Sequence, residues 1–286
     1  MLLIGIVALG ATVARVNYQP TNPPPPAVSI PNRFPQTNAA MRTPGRLRVL
    51  FIGNSLTDYN GGLALMMQQL AASGHQRPVP IFDQVTMWGA TWAQLWDVTK
   101  SLPMIRQGGW DYVVLQDYST APMIYRAEMD VYARRFSREV KNVGARPVFF
   151  MTWPHDDQLP LQTRIGRAYI SVALDNQGLV APVGYAWQKV EKLSPGFQLY
   201  DPRDKPKKHP NQAGSYLTAC VFYSLFFNQS PHGLTGRIVE GTNVFINLPP
   251  AVATLLQDAA WATVQEMGPL ATTKPTTAPV ANDLAQ

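Results

Sequence analysis

The chain has 286 residues, of which 46% are hydrophobic and only 15% are charged, so it can bury a substantial core in one large domain. A net charge of +6 raises the question of nucleic-acid binding, but the basic residues are scattered and show no aromatic–basic interleaving or finger-type spacing. Cys220 is the single cysteine, which excludes an intramolecular disulfide and a cysteine–histidine zinc site. We therefore predict no nucleic-acid partner and no metal.

The two ends of the chain differ in composition from its middle. Residues 1–17 contain an apolar run from Leu2 to Val13, which is too short to cross a bilayer and is typical of a signal-peptide core or a weak anchor. A proline-rich linker follows at 18–45, and residues 271–286 form a low-complexity tail that we expect to be disordered. We expect export to the periplasm, envelope or exterior of a bacterial cell, with this N-terminal segment as the only candidate membrane tether.

Residues 46–270 alternate between strand-like and helix-like patterns. Continuous apolar runs predict strands at Val49–Gly53, Val79–Val85, Tyr112–Gln116, Pro147–Met151 and Val180–Val183. Helices are predicted near 62–73, 90–101, 126–143 and 161–177, and again near 216–227 and 250–267. Crossover helices between buried strands indicate an α/β fold with a doubly wound, five-stranded, mainly parallel sheet and helices on both faces. Functional side chains are then expected just beyond the carboxyl ends of the strands.

The first strand ends in the turn Gly53-Asn54-Ser55-Leu56-Thr57, and a helical pattern follows near Gly62. A serine between a parallel strand and a helix is a typical place for a nucleophile, because free backbone N–H groups at the start of a helix stabilise negative charge. Ser55 is therefore a candidate nucleophile. The alternative is that it is an ordinary helix N-cap.

A second motif places a histidine before an apolar helix. His209 follows Asp201 and Asp204 and precedes the helix that contains Tyr216. Serine, aspartate and histidine in this chain order can form a catalytic triad. Asp204 is the preferred acid because it is nearer to His209, while Asp201 remains the alternative and could instead open the turn before Pro202.

These motifs resemble the SGNH (GDSL-type) hydrolases, and more narrowly a bacterial subgroup with Gly-Asn-Ser-Leu at the first block. The resemblance covers roughly residues 46–230 and includes Gly89 after the second strand. It implies the flavodoxin-like fold of that family and catalysis by Ser55, His209 and an aspartate. It also implies an oxyanion hole that includes the N–H groups of Ser55 and Gly89.

Two features depart from that family. Its third block ends in Gly-x-Asn-Asp, whereas this strand runs into Gln116-Asp117, so we predict that the Gln116 carboxamide replaces the asparagine of the oxyanion hole. The family also has Asp-x-x-His, whereas Pro206 stands three positions before His209. A two-residue insertion in the loop would explain this spacing.

The expected activity is hydrolysis of short-chain esters, with O-acetyl groups on carbohydrate as the first choice of substrate and no cofactor. Asn54, Trp88 and Trp153 are candidate substrate contacts, since aromatic faces suit sugar rings, although packing in the core is the commoner fate of tryptophan. A non-catalytic carbohydrate-binding or envelope protein on a degenerate hydrolase scaffold is the alternative. Nucleotide binding is disfavoured because the glycine turn lacks G-x-G-x-x-G and the G-K-[ST] ending.

Overall fold

The computed structural model describes residues 45–268, which belong to one of two compact units of the chain, Thr37–Gln286. The predicted signal-like segment, nearly all of the predicted linker and the predicted tail therefore lie outside the described residues. Their assignments stay predictions. Among residues 45–268, no helix is both long and apolar enough to cross a membrane.

Five parallel strands form the central sheet, in the spatial order β2-β1-β3-β4-β5. They are β1 (Arg48–Gly53), β2 (Ile81–Thr86), β3 (Tyr112–Leu115), β4 (Arg146–Phe150) and β5 (Leu179–Ala181). This arrangement confirms the predicted doubly wound α/β fold. Because β1 has β2 on one side and β3 on the other, the chain changes direction across the sheet at β1, which is where such folds form a crevice.

Helices cover both faces of the sheet. The described helices are α1 (Ser55–Asp58), α2 (Leu63–Ser73), α3 (Trp92–Val98), α4 (Ser101–Gln107), α5 (Ala121–Ile124), α6 (Arg126–Asn142), α7 (Gln162–Asp175), α8 (Val183–Leu193), α9 (Gln212–Phe227) and α10 (Pro250–Met267). Alternate residues of β1 enter two separate cores: Val49 and Phe51 pack with α2, α8, α9 and α10, while Leu50 and Ile52 pack with α3, α4, α6 and α7. Burial on both faces explains why the strands are continuously apolar.

Several elements differ from the prediction. The helix expected at 90–101 is two short helices, because the backbone turns away from the helix at Thr99. Helix α8 was not predicted, nor was the antiparallel hairpin of β6 (Arg237–Glu240) and β7 (Asn243–Asn247). Each hairpin strand has a single fully buried residue, Ile238 in β6 and Ile246 in β7. Neither strand therefore has the continuous apolar run from which the other strands were predicted.

Candidate active site

The turn after β1 makes Ser55 the first residue of α1. Asn54 is the N-cap of this helix, and its Oδ1 accepts the Leu56 N–H at 3.1 Å. Asn54 therefore caps the helix, and Ser55 does not. Gly53 is required here because a Cβ would lie against Thr57 Oγ1 and 2.5 Å from Gln116 Oε1.

Ser55, His209 and Asp204 form a continuous chain of hydrogen bonds. Ser55 Oγ lies 2.8 Å from His209 Nε2, and His209 Nδ1 lies 2.6 Å from Asp204 Oδ2. The same carboxylate oxygen accepts the backbone N–H of His209 at 2.8 Å. Burial raises the pKa of Asp204, but these N–H donors and the imidazole outweigh it, so its pKa lies below its usual range. An ionised Asp204 accepts from Nδ1–H, which leaves Nε2 free to accept from Ser55.

Asp201 occupies a different position beside the same loop. Its carboxylate accepts from the Arg203 guanidinium and, at 3.1 Å, from the Tyr59 hydroxyl. Hydrogen bonding to Arg203 lowers the pKa of Asp201 far below its usual range. The Asp201 N–H donates to the carbonyl oxygen of His209 at 2.8 Å. Asp201 thus holds the backbone of His209, while the acid that contacts the imidazole is Asp204.

Trp153 also holds this loop. Its ring is 1% exposed and stacks on Trp187 with centroids 4.0 Å apart. Its Nε1–H donates to the Lys208 carbonyl at 2.9 Å, immediately before His209. The prediction that Trp153 contacts substrate is therefore wrong. The ring is enclosed in the core, and its one polar group fixes the backbone of the histidine loop.

Aromatic rings also cover His209. Tyr59 stacks face to face on the imidazole with centroids 4.7 Å apart and planes within 4°. The sequence reasoning missed Tyr59, because nothing in its local sequence distinguishes it from other turn residues. Trp88 is 61% exposed, and its centroid lies 6.2 Å from that of His209. Its surface position leaves Trp88 available to a bound substrate.

Gln116 is fully buried beneath the turn. Its Oε1 accepts the Asn54 N–H at 2.7 Å and the Thr57 hydroxyl at 2.9 Å. Its Nε2 donates to Asn54 Oδ1 at 2.9 Å and to the Asp117 carbonyl. Both amide hydrogens are therefore used, and no donor remains for an oxyanion. The structure corrects the prediction: Gln116 joins the ends of β1 and β3 instead of facing the substrate.

Asn54 is also enclosed, with 2% of its surface exposed. Besides capping α1, it accepts from Gln116 and donates through Nδ2 to the Ala90 carbonyl at 2.9 Å. The prediction that Asn54 contacts substrate is therefore wrong. Its side chain ties the turn after β1 to the loop after β2.

Two backbone N–H groups remain free at this edge of the sheet. Within residues 45–268, neither the Ser55 N–H nor the Gly89 N–H donates a hydrogen bond. Gly89 is exposed and has φ +74°, in a turn closed by the Ala90 N–H donating to the Met87 carbonyl at 3.1 Å. The positive φ suits glycine, and the space where a Cβ would lie is open. Both groups meet the requirement for oxyanion donors that are not already paired.

Asp117 is a buried carboxylate that the sequence reasoning did not single out. Its Oδ1 accepts the N–H groups of Trp92 and Tyr118, both at 2.8 Å, and so connects the loops after β2 and β3. Burial raises the pKa of Asp117 to about 7, against the lowering effect of these two hydrogen bonds.

No protein-family model matches the sequence, and a search of curated proteins finds no match. Solved structures do match. A protein from Slackia heliotrinireducens assigned to the SGNH hydrolases aligns over 62% of this chain and 97% of its own, with 25% identity and a TM-score of 0.51. TesA aligns over 64% of this chain and 99% of its own, with 14% identity and a TM-score of 0.51.

The chain has the SGNH-hydrolase fold. The likeness to the Slackia protein confirms the resemblance to SGNH hydrolases that the sequence motifs indicated. It supports a hydrolase at the level of the family and does not identify the substrate. The likeness to TesA bears on the fold alone. The roles of Ser55, His209 and Asp204 remain predictions drawn from the geometry.

Asp204→Asn and Asp201→Asn should separate the two aspartates. Asp204→Asn removes the carboxylate that orients His209 and balances its positive charge, so kcat on p-nitrophenyl acetate should fall by up to about 10⁴-fold. Asp201→Asn should keep most of the activity, since that side chain does not touch the imidazole. The opposite ranking of the two kcat values would return the acid to Asp201.

Gln116→Ala should lower both kcat and the free energy of unfolding. The substitution leaves buried polar groups of Asn54 and Thr57 without partners, at about 1–3 kcal/mol each. Urea unfolding and kcat should be measured on the same protein, with Gln68→Ala, an exposed amide on α2, as control. A loss of kcat with unchanged stability would restore Gln116 as an oxyanion donor.

Asp117 should make the stability of the protein fall as the pH rises. The pKa of about 7 in the folded protein lies above the unfolded value of about 4, so the folded state binds the proton more tightly and loses that advantage as pH climbs through this window. Asp117→Asn keeps the acceptor for Trp92 and Tyr118. Between about pH 5 and about pH 8 the free energy of unfolding should fall in both proteins, but the fall in the wild type should be larger by about 2–3 kcal/mol. Equal pH dependence in both proteins would contradict this assignment.

Proposed function

We propose that the protein is a serine ester hydrolase. The observation that carries this proposal is the hydrogen-bonded chain from Ser55 Oγ through His209 to Asp204, with links of 2.8 and 2.6 Å. A hydroxyl, an imidazole and a carboxylate in this order can activate the hydroxyl as a nucleophile. The SGNH-hydrolase fold, in which the Ser55 turn sits at the sheet crevice, supports the same proposal.

The reaction proceeds in two halves. Ser55 Oγ attacks the ester carbonyl and its proton passes to His209 Nε2, while Asp204 stabilises the imidazolium through Nδ1–H. Collapse of the tetrahedral intermediate breaks the bond to the alcohol oxygen, which takes the proton from Nε2 and leaves. Water then attacks the acyl-serine, His209 again accepts the proton, and the carboxylic acid leaves as Ser55 recovers its proton.

The developing oxyanion is stabilised by the backbone N–H groups of Ser55 and Gly89. Each such donor contributes about 3 kcal/mol when it is already in place before the charge develops. The buried network around Asn54 and Gln116 keeps the turn after β1 in one conformation, so the donors need no reorganisation during the reaction.

The substrates are short-chain esters, with O-acetyl groups on carbohydrate as the preferred class. The exposed ring of Trp88 beside His209 supports a sugar-bearing substrate, because aromatic faces pack against the C–H groups of sugar rings. The sequence has no long apolar lid segment of the lipase kind, which favours a small acyl group.

A non-catalytic carbohydrate-binding protein on the same scaffold is the second candidate. The specific observation in its favour concerns Gln116, which stands where the resembled family has its oxyanion-hole asparagine. Gln116 has no free amide hydrogen, so its side chain contributes no oxyanion donor. Covalent chemistry at Ser55 separates the two candidates.

Ser55→Ala should abolish hydrolysis of p-nitrophenyl acetate and labelling by a fluorophosphonate probe, because both need the Ser55 oxygen as nucleophile. Melting temperature should change little, since the substitution removes only the hydroxyl and its hydrogen bond to His209. Ser194→Ala, at the end of α8, is the matched control and should label like the wild type. Retention of wild-type turnover by Ser55→Ala, or absence of labelling in the wild type, would reject the hydrolase.

A further inference from the structure

An open groove of about 640 Å³ lies beside the candidate active site. Its walls include Asp58, Tyr59, Asn60, Trp88, Arg203 and Phe245. This volume is within the range of about 300–1,000 Å³ that small-molecule sites occupy. The groove borders the catalytic imidazole, because Tyr59 in its wall is the ring that stacks on His209.

The position of His209 decides which part of an ester would enter this groove. In the proposed reaction Nε2 returns its proton to the departing alcohol oxygen, so the alcohol must lie against His209. Tyr59 and Trp88, whose rings lie beside the imidazole, are therefore on the alcohol side. The acyl carbonyl points to the backbone donors of Ser55 and Gly89.

The groove presents a fixed aromatic surface. Trp88 is exposed, yet its orientation is set by a hydrogen bond of 2.6 Å from Nε1–H to Asp58 and by contact with Tyr59, with centroids 5.6 Å apart. Phe245 of the β6–β7 hairpin packs against Gly61, where a Cβ would lie 2.7 Å from its ring. The exposed part of the Trp88 ring is suited to the C–H face of a sugar.

Polar groups with spare hydrogen-bonding capacity surround these rings. Asn60 uses Nδ2 on Ser215 and on the Pro210 carbonyl, and its Oδ1 accepts nothing within residues 45–268. Each Asp58 oxygen accepts one hydrogen bond from the described residues and has a further lone pair to offer. Arg203 is 82% exposed and uses Nε and Nη2 on Asp201, which leaves Nη1 for a ligand.

The charges favour an uncharged ligand. Asp201, which is buried, balances the positive charge of Arg203, and Asp58 adds a carboxylate to the wall of the groove. An acidic sugar would place its carboxylate near Asp58 with no unbalanced cation among the lining residues to offset the repulsion. Hydroxyl groups, in contrast, can both donate to Asp58 and Asn60 and accept from Arg203.

We propose that this groove binds an uncharged sugar ring of the ester's alcohol part, stacked on Trp88 and bordered by Phe245. The proposal rests on the proposed ester hydrolysis for the direction of the substrate. It assigns a carbohydrate subsite to the hairpin side of the cleft and excludes acidic sugars as preferred substrates.

Selectivity between two substrates tests the groove. Trp88→Ala and Phe245→Ala should each lower kcat/KM for partly acetylated cellotriose, relative to kcat/KM for p-nitrophenyl acetate, by about tenfold because a stacking contact to the sugar is lost. Trp88→Phe, which keeps an aromatic face, should recover part of the ratio. Val244→Ala, an exposed neighbour on the same hairpin, should leave the ratio at the wild-type value. A ratio unmoved by both groove variants would overturn the proposal.

Two further measurements separate this proposal from the hydrolase proposal. Wild-type protein should prefer partly acetylated cellotriose to partly acetylated oligogalacturonate; the reverse preference contradicts an uncharged-sugar site. Cellotriose should also bind to Ser55→Ala in calorimetry, and the affinity should drop in Ser55→Ala/Trp88→Ala. Trp88-dependent binding without fluorophosphonate labelling would uphold the groove and reject the hydrolase. Labelling without Trp88-dependent binding would uphold the hydrolase and reject the groove.

Discussion

The buried carboxamide of Gln116 is the interaction on which the geometry of the candidate site depends. It joins residues 62 and 59 positions away, Asn54 and Thr57, and thereby fixes the turn after β1 to the end of β3. With its own N–H satisfied by Gln116, Asn54 can use its side chain to cap α1 and to hold the Ala90 carbonyl. The first N–H of α1, that of Ser55, is the donor that this network leaves unpaired.

The histidine loop achieves its alignment by a different means. Asp204 stands five positions before His209, so the two side chains meet only because the chain folds back on itself. The Asp204 N–H donates to the Asp201 carbonyl, and the Asp201 N–H donates to the His209 carbonyl. Trp153 then restrains the backbone through the Lys208 carbonyl, and Tyr59 restrains the ring by stacking on it. In the family that the motifs resemble, the aspartate stands three positions before the histidine. Here the contacts made by Asp201, Trp153 and Tyr59 hold Asp204 and His209 together despite the longer spacing.

The sequence was sufficient for the sheet and for the residues that meet at Ser55, because both depend on local patterns. Five apolar runs predict five strands, and a glycine turn and a His-Pro helix entry mark two chain positions that the fold brings to one edge. The direction in which each side chain points could not be predicted from local patterns. Gln116 and Trp153 both follow strands and have chemistry suited to a substrate, yet partners far along the chain enclose them. Trp88, also just beyond a strand, stays exposed because none of the elements between residues 45 and 268 covers it.

These differences separate two kinds of group in the cleft. The donors for the oxyanion are backbone N–H groups, whose chemistry does not depend on the side chain, and they are held by buried hydrogen bonds among the strand ends. The groove is built from side chains of α1, of the turns beside it and of the β6–β7 hairpin, which packs its two isoleucines into the core and places the partly buried Phe245 in the groove wall. Phe245 also packs against Gly61 and the core, so the hairpin wall of the groove is attached to the turn that carries Tyr59. In the proposed enzyme, the alcohol subsite and the acyl-transfer groups therefore share Tyr59, which stacks on His209, and helix α1, which begins at Ser55 and ends at Asp58. Selection of the alcohol is thus coupled to the placement of the nucleophile and the imidazole.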